Sequence, residues 1–113
     1  MKNLAEIAPV AEEIRQKGVE NVIISAGGEG AVFACCEGVF TAIPPKINAV
    51  STIGAGDSTI AGFLAAIVNG ESLTGAFQNA VATGTAACCE EGTNPPKAEL
   101  AKQIKRKVKL QKV

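Results

Sequence analysis

With 113 residues, the chain has room for one domain built around one modest core. Hydrophobic residues make up 47% and charged residues 19%, and 11 basic side chains balance 11 acidic ones, which leaves no electrostatic footprint for nucleic acid. There is no histidine. That removes Ser–His and Cys–His nucleophile pairs and every His-ligated metal, so any chemistry must run on carboxylates, backbone dipoles, Lys, Arg and bound cations.

The first predicted element is a helix over NLAEIAPVAEEIRQKG, with Leu4, Ile7, Val10, Ala11 and Ile14 on one face and Gly18 as its C-terminal cap. Proline belongs in a first turn, so Pro9 places the proper start near Ala8. The β-branched run from Val22 to Ile24 reads as a strand covered on both faces, ending in the glycine cluster SAGGEG. GAVFACCEGVFTAI reads as two short strands joined at Glu37 and Gly38, and KINAVSTI, past Pro44 and Pro45, as one more. DSTIAGFLAAIVNG is a helix closed by Gly70, and ESLTGAFQNAVATGTAACCEEG a second one, capped by Ser72 and ended by Gly92. TNPPKAEL turns into a last helix from Lys97 to about Lys107, and VKLQKV is a terminal edge strand.

This order predicts an α/β fold with mixed strand directions, held in a single domain over residues 1–113. An opening helix that calls for a sheet partner reads as the back part of something larger. The longest strongly apolar run, Ile60 to Val68, falls far short of the roughly 18 residues a membrane span needs. No charged n-region leads into an apolar h-region, so the expectation is a cytoplasmic chain without membrane or nucleic-acid partners. Cys35–Cys36 and Cys88–Cys89 lack the C-x-x-C spacing of zinc and redox sites and read as small buried hydrophobes. The basic tail KQIKRKVKLQKV has no aromatic anchor and reads as a solvated face.

The stretch STIGAGDST, Ser51 to Thr59, stands where a helix should begin. Gly54 and Gly56 let a ligand approach the main chain, and the unpaired first-turn N–H groups of Ala55, Gly56 and Asp57 form an anion site reinforced by the helix dipole. A carboxylate in the same turn can accept the proton of a hydroxyl attacking the bound anion, an arrangement suited to phosphoryl transfer. The alternative is a plain N-cap, with Asp57 or Ser58 bonding the first-turn amides. The cluster Ser25–Gly30 follows a buried strand, where α/β sheets place ligands, or is simply a hairpin turn. Two such loops at strand ends could face one nucleotide.

These segments resemble the PfkB (ribokinase-like) carbohydrate kinases. VSTIGAGDSTIAGFLAA is similar to the family's C-terminal signature D-T-x-G-A-G-D-x-F, IISAGGEGAVF to its S-x-G-x-x-G-A segment, and AVATGTAACCEEGTNPP to its late helix and G-x-x-P loop. Val50, Ser51, Thr52 and the AGFLAA continuation most resemble the bacterial 1-phosphofructokinases and the related tagatose-6-phosphate kinases. The resemblance implies the C-terminal portion of a three-layer α/β/α fold with a mixed sheet, without the family's N-terminal sugar-binding half. It implies an ATP-dependent kinase using Mg2+, with K+ as an optional second cation, a sugar-phosphate acceptor (fructose 1-phosphate or tagatose 6-phosphate) and a homo-oligomer. The alternative is a truncated, non-catalytic nucleotide-binding or interaction module.

By resemblance, Asp57 is the catalytic base and Gly54, Ala55 and Gly56 the anion hole. Ser25, Ala26, Gly27, Gly28, Glu29 and Gly30 border the nucleotide phosphates and ribose together with Gly56 and Asp57, and Asn79 and Val81 lie on the helix flanking adenine. Carbonyls of Ser51, Ile53, Ala87, Glu90, Gly92 and Asn94 match a monovalent-cation site. The chain departs from the pattern at Ser51, where many relatives carry Asp, and at Thr59, which replaces the usual aromatic.

Overall fold

A computed structural model describes residues 4–26, 29–51, 54–90 and 96–113. The elements are α1 (Leu4–Gln16), β1 (Val22–Ser25), β2 (Ala31–Cys35), β3 (Gly38–Ile43), α2 (Ala55–Val68), α3 (Leu73–Ala87), α4 (Ala98–Lys107) and β4 (Lys109–Lys112). They fall into two units, the described residues of Met1–Ile43 with Lys109–Val113, and those of Pro44–Val108.

In the first unit α1 lies on a four-stranded sheet of order β1-β2-β3-β4. Its inward face is Leu4, Ile7, Ala8 and Ala11, the i, i+3, i+4, i+7 spacing of one helical stripe. Val10 and Ile14, expected on that face, are exposed. The helix runs through Pro9 instead of starting near Ala8. The proline leaves the carbonyl of Ala5 without its intrahelical partner, and both residues lie on the exposed side, where water can take the bond. Val22, Ile24, Val32, Ala34 and Val39 meet α1 from alternate positions of three strands, aligned by the pairs Val22↔Ala34, Ile24↔Val32 and Ala34↔Val39.

Two strand expectations change. Among the described residues β1 pairs with β2 alone, and the strand buried along its whole length is β2, AVFAC, whose small side chains carry a weaker apolar signal than VII. All three pairings of the described strands are antiparallel, so mixed directions are not seen among them. The expected terminal strand is present as β4, which adds to β3 and sets Lys112 over the Phe40 ring at 6.0 Å.

The second unit is three helices preceded by an extended segment. α3 is capped as expected, with Ser72 Oγ accepting from the Gly75 amide at 3.1 Å. It ends at Ala87, whereas the expected stop, Gly92, lies outside the described residues. Phe77, Ala76, Ala80, Ala82 and Ala86 are fully buried, and α4 adds Ile104. Lys105 Nζ donates to Glu71 Oε1 at 2.6 Å, tying α4 to the turn before α3. No strand forms over residues 46–51, contrary to the reading of KINAVSTI. The amides of Val50 and Ser51 donate to the Cys88 carbonyl, at 2.7 and 3.1 Å, rather than to a neighbouring strand, and Thr52 and Ile53 lie outside the described residues. Among the described residues no helix is long and apolar enough to cross a membrane.

Candidate active site

The first turn of α2 is built as an open helix terminus. Its N-cap is Gly54, in the left-handed region at φ 81°, a conformation that a residue with a Cβ resists. The Gly54 carbonyl accepts the first helical bond, from Ser58 N at 3.0 Å. Among the described residues no side chain caps the turn, and the cap is Gly54, so neither Asp57 nor Ser58 plays the ordinary N-cap role. The amides of Ala55, Gly56 and Asp57 therefore begin a 14-residue helix without a side-chain acceptor, at the positive end of its dipole. Asp57 is exposed and makes no hydrogen bond or ion pair among the described residues.

Gly56 is the informative residue. Its φ is not positive, and a Cβ built on it meets nothing within 4 Å among the described residues. Neither backbone strain nor packing calls for glycine here, although glycine in a helix costs about 0.5–1 kcal/mol relative to alanine. Space left open above uncapped amides fits close approach of an anion to the backbone.

The other expected loop has a different reason for its last glycine. Ala26 N donates to Gly30 O at 2.7 Å and Glu29 N to Ala26 O at 3.2 Å, closing a hairpin between β1 and β2. A Cβ on Gly30 would collide with the carbonyl of Ala42, and φ is 114°, so this glycine serves the sheet. Ser25 and Glu29 are exposed at the same hairpin, while Gly27 and Gly28 lie outside the described residues. The hairpin belongs to the first unit and the Gly54–Asp57 turn to the second.

Of the adenine-flanking pair, Val81 is 6% exposed and Asn79 spends its amide on the helix pair, Nδ2 donating to Gly62 O at 2.7 Å. Of the six expected cation ligands, Ile53, Gly92 and Asn94 lie outside the described residues. The other three share one place: Ser51 is tied to the Cys88 carbonyl at the end of α3, beside Ala87, whose carbonyl accepts from Glu90 N at 3.1 Å. That is the negative end of a helix dipole, where carbonyls favour a cation. Burial, with the neighbouring Cys89, raises the Cys88 thiol above its ordinary value.

What the sequence reading missed is how α2 is held. Gly62 and Gly84 let α2 and α3 approach closely against Thr83 and Thr59. The available signal was the occurrence of threonine and glycine together on both helices, T-x-x-G at Thr59–Gly62 and T-G at Thr83–Gly84.

This glycine turn, with its exposed carboxylate, opens a 14-residue apolar helix of an α/β chain. The chain belongs to the pfkB family of carbohydrate kinases, whose pattern matches residues 1–100. It is 50% identical over 82 residues to the 1-phosphofructokinase of Borreliella burgdorferi, covering 72% of this chain and 27% of that protein. To the 1-phosphofructokinase of Bacillus subtilis it is 36% identical over 105 residues, covering 91% of this chain and 35% of the relative. The Escherichia coli phosphofructokinase-2 structure in complex with potassium superposes with a TM-score of 0.85 at 27% identity, over 94% of this chain and 35% of that one. Thermotoga maritima ribokinase shares the fold, with a TM-score of 0.77 at 23% identity over 88% of this chain and 34% of that one. The chain thus spans about a third of the length of the proteins it matches.

Proposed function

We propose that this chain supplies the phosphate-binding turn and the proton acceptor of an ATP-dependent sugar-phosphate kinase of the 1-phosphofructokinase type. The observation that carries the reading is the turn Gly54–Asp57, with uncapped amides, an open glycine surface and a carboxylate left free in the same turn. ATP bound there would supply the transferable phosphoryl group. The amides of Ala55, Gly56 and Asp57 hold the negative charge of that group, and they do so without reorganising, since the helix fixes them. Asp57 accepts the proton of the sugar hydroxyl as it attacks, a role that contributes roughly 10²–10⁴-fold to rate.

Among the described residues no three His, Cys, Asp or Glu side chains converge on a metal position. Mg2+ would be carried on the nucleotide phosphates, its usual mode in kinases. Ser51, Ala87 and Glu90 at the end of α3 are the described candidates for a K+ site, and Ser25–Gly30 remains the candidate for further nucleotide contacts. Fructose 1-phosphate is the acceptor this reading favours.

Titration of the 15N-labelled chain with Mg·ATP tests it. The expected result is a saturable shift of the Ala55, Gly56 and Asp57 amide signals that Gly56→Val removes. A well-dispersed spectrum that does not respond to Mg·ATP would overturn the reading.

A further inference from the structure

At two places where α2 packs on α3, a threonine of one helix presses against a glycine of the other. A Cβ on Gly84 of α3 would collide with Thr59 Oγ1 and lie 3.4 Å from Thr59 Cβ and 3.3 Å from the Ala55 carbonyl oxygen. A Cβ on Gly62 of α2 would lie 2.6 Å from Thr83 Oγ1, 2.8 Å from Thr83 Cβ and 3.1 Å from the Asn79 carbonyl oxygen. Each threonine hydroxyl turns back to its own helix, Thr59 Oγ1 donating to Ala55 O at 2.9 Å and Thr83 Oγ1 to Asn79 O at 2.7 Å. The polar group is thus satisfied while its side chain fills the glycine's space. Asn79 Nδ2 donates to Gly62 O at 2.7 Å and ties the second contact across the pair.

Among the contacts that pack α2 on α3, these two, at residues 59 and 62 of α2, restrain its rotation and its axial position. The Gly84 contact touches Ala55 and Thr59, one turn apart and on either side of Asp57 in sequence. At about 100° per residue, Asp57 points some 200° around the helix from Ala55, away from α3. Whatever sets Ala55 and Thr59 against α3 therefore sets the direction of the Asp57 carboxylate and of the first-turn amides.

We propose that Gly84 and Thr59 are a size-matched pair of positioning residues for the Gly54–Asp57 turn, an inference that rests on the proposed role of that turn. The experiment compares Gly84→Ala, Thr59→Ala and the double variant in the full chain, reading amide shifts of residues 55–58, Mg·ATP affinity and thermal unfolding. Gly84→Ala should move the amide signals of Ala55–Ser58. It should also weaken Mg·ATP by about tenfold, in line with the sensitivity of such sites to displacements of about 1 Å. Thr59→Ala removes the atom in collision, so the double variant should return the signals and the affinity to near those of Thr59→Ala. A purely structural role would lower the melting temperature of Gly84→Ala without this site-specific loss and its recovery.

Unmoved amide signals in Gly84→Ala would overturn the proposal, and so would a double variant that shows no recovery. Should Gly84→Ala fail to fold, the double variant decides: regaining the folded spectrum supports the size match, and failing to do so refutes it. Should the unaltered chain not bind Mg·ATP, the reading of the turn fails, while the amide shifts still report whether the pair positions it.

Discussion

Replacing Gly56 by alanine should make the protein more stable and worse at binding phosphate, two effects that ordinarily do not come together. The residue lies in α2, its φ is not in the left-handed region, and an added Cβ meets nothing within 4 Å among the described residues. The folded state therefore accepts the methyl group without strain, while the unfolded chain loses conformational freedom. The gain at such a site is about 0.4–1 kcal/mol. At roughly 4–8 °C per kcal/mol for a small domain, the melting temperature should rise by about 2–8 °C. The same methyl group occupies the space through which an anion reaches the amides of Ala55, Gly56 and Asp57. A bound phosphate displaced from two or three charge-assisted N–H contacts, each worth about 1.5–3 kcal/mol, should lose at least tenfold in affinity. Differential scanning fluorimetry without ligand measures the first effect, and calorimetric titration with Mg·ATP the second. A destabilised Gly56→Ala would mean that the packing account of this glycine is wrong. Unchanged affinity in a stabilised variant would mean that no anion docks on the turn.

In the intact kinase proposed above, Asp57→Asn keeps the shape of the side chain and loses the proton acceptor, so sugar-phosphate turnover in a coupled ADP-release assay should fall by roughly 10²–10⁴-fold with Mg·ATP affinity little changed. Ser72→Ala removes the oxygen that accepts from the Gly75 amide and should cost about 1 kcal/mol in urea unfolding, with site function intact. Phe77→Ala, at a fully buried position of α3, should cost about 3–5 kcal/mol and leave little folded protein by circular dichroism. The pH dependence follows from the raised Cys88 thiol, whose ordinary value is 9.0. The folded state holds the neutral thiol, so its contribution is complete below pH 9.0 and is lost as pH rises through the folded value. Cys88→Ala should flatten that alkaline decline, and an identical decline in both proteins would assign it elsewhere.

Much of the architecture was legible along the chain because its signals are local. Ser72 before an apolar run, Gly70 after one, the glycine cluster closing β1 and the amphipathic stretch before Lys107 each act through neighbours a few residues away. The turn Gly54–Asp57 was legible for the same reason, since glycine and acid at a helix start are a short-range pattern with few physical uses.

Several features were decided only by tertiary structure. A continuous apolar, β-branched run made β1 look like the covered strand, but β2 is the one buried throughout, because burial is set by what packs on a strand and not by its composition. KINAVSTI has the composition of a strand, yet the amides of Val50 and Ser51 are claimed by a carbonyl at the end of α3, more than thirty residues away. Whether Asp57 caps its helix or stays free was open on residue types alone, since aspartate near a helix start does both. The folded chain places Gly54 at the cap and leaves the carboxylate free. The threonines and glycines of α2 and α3 stand close together in the sequence, but which threonine meets which glycine was not legible, because steric complementarity belongs to pairs of surfaces that meet only once the helices have packed.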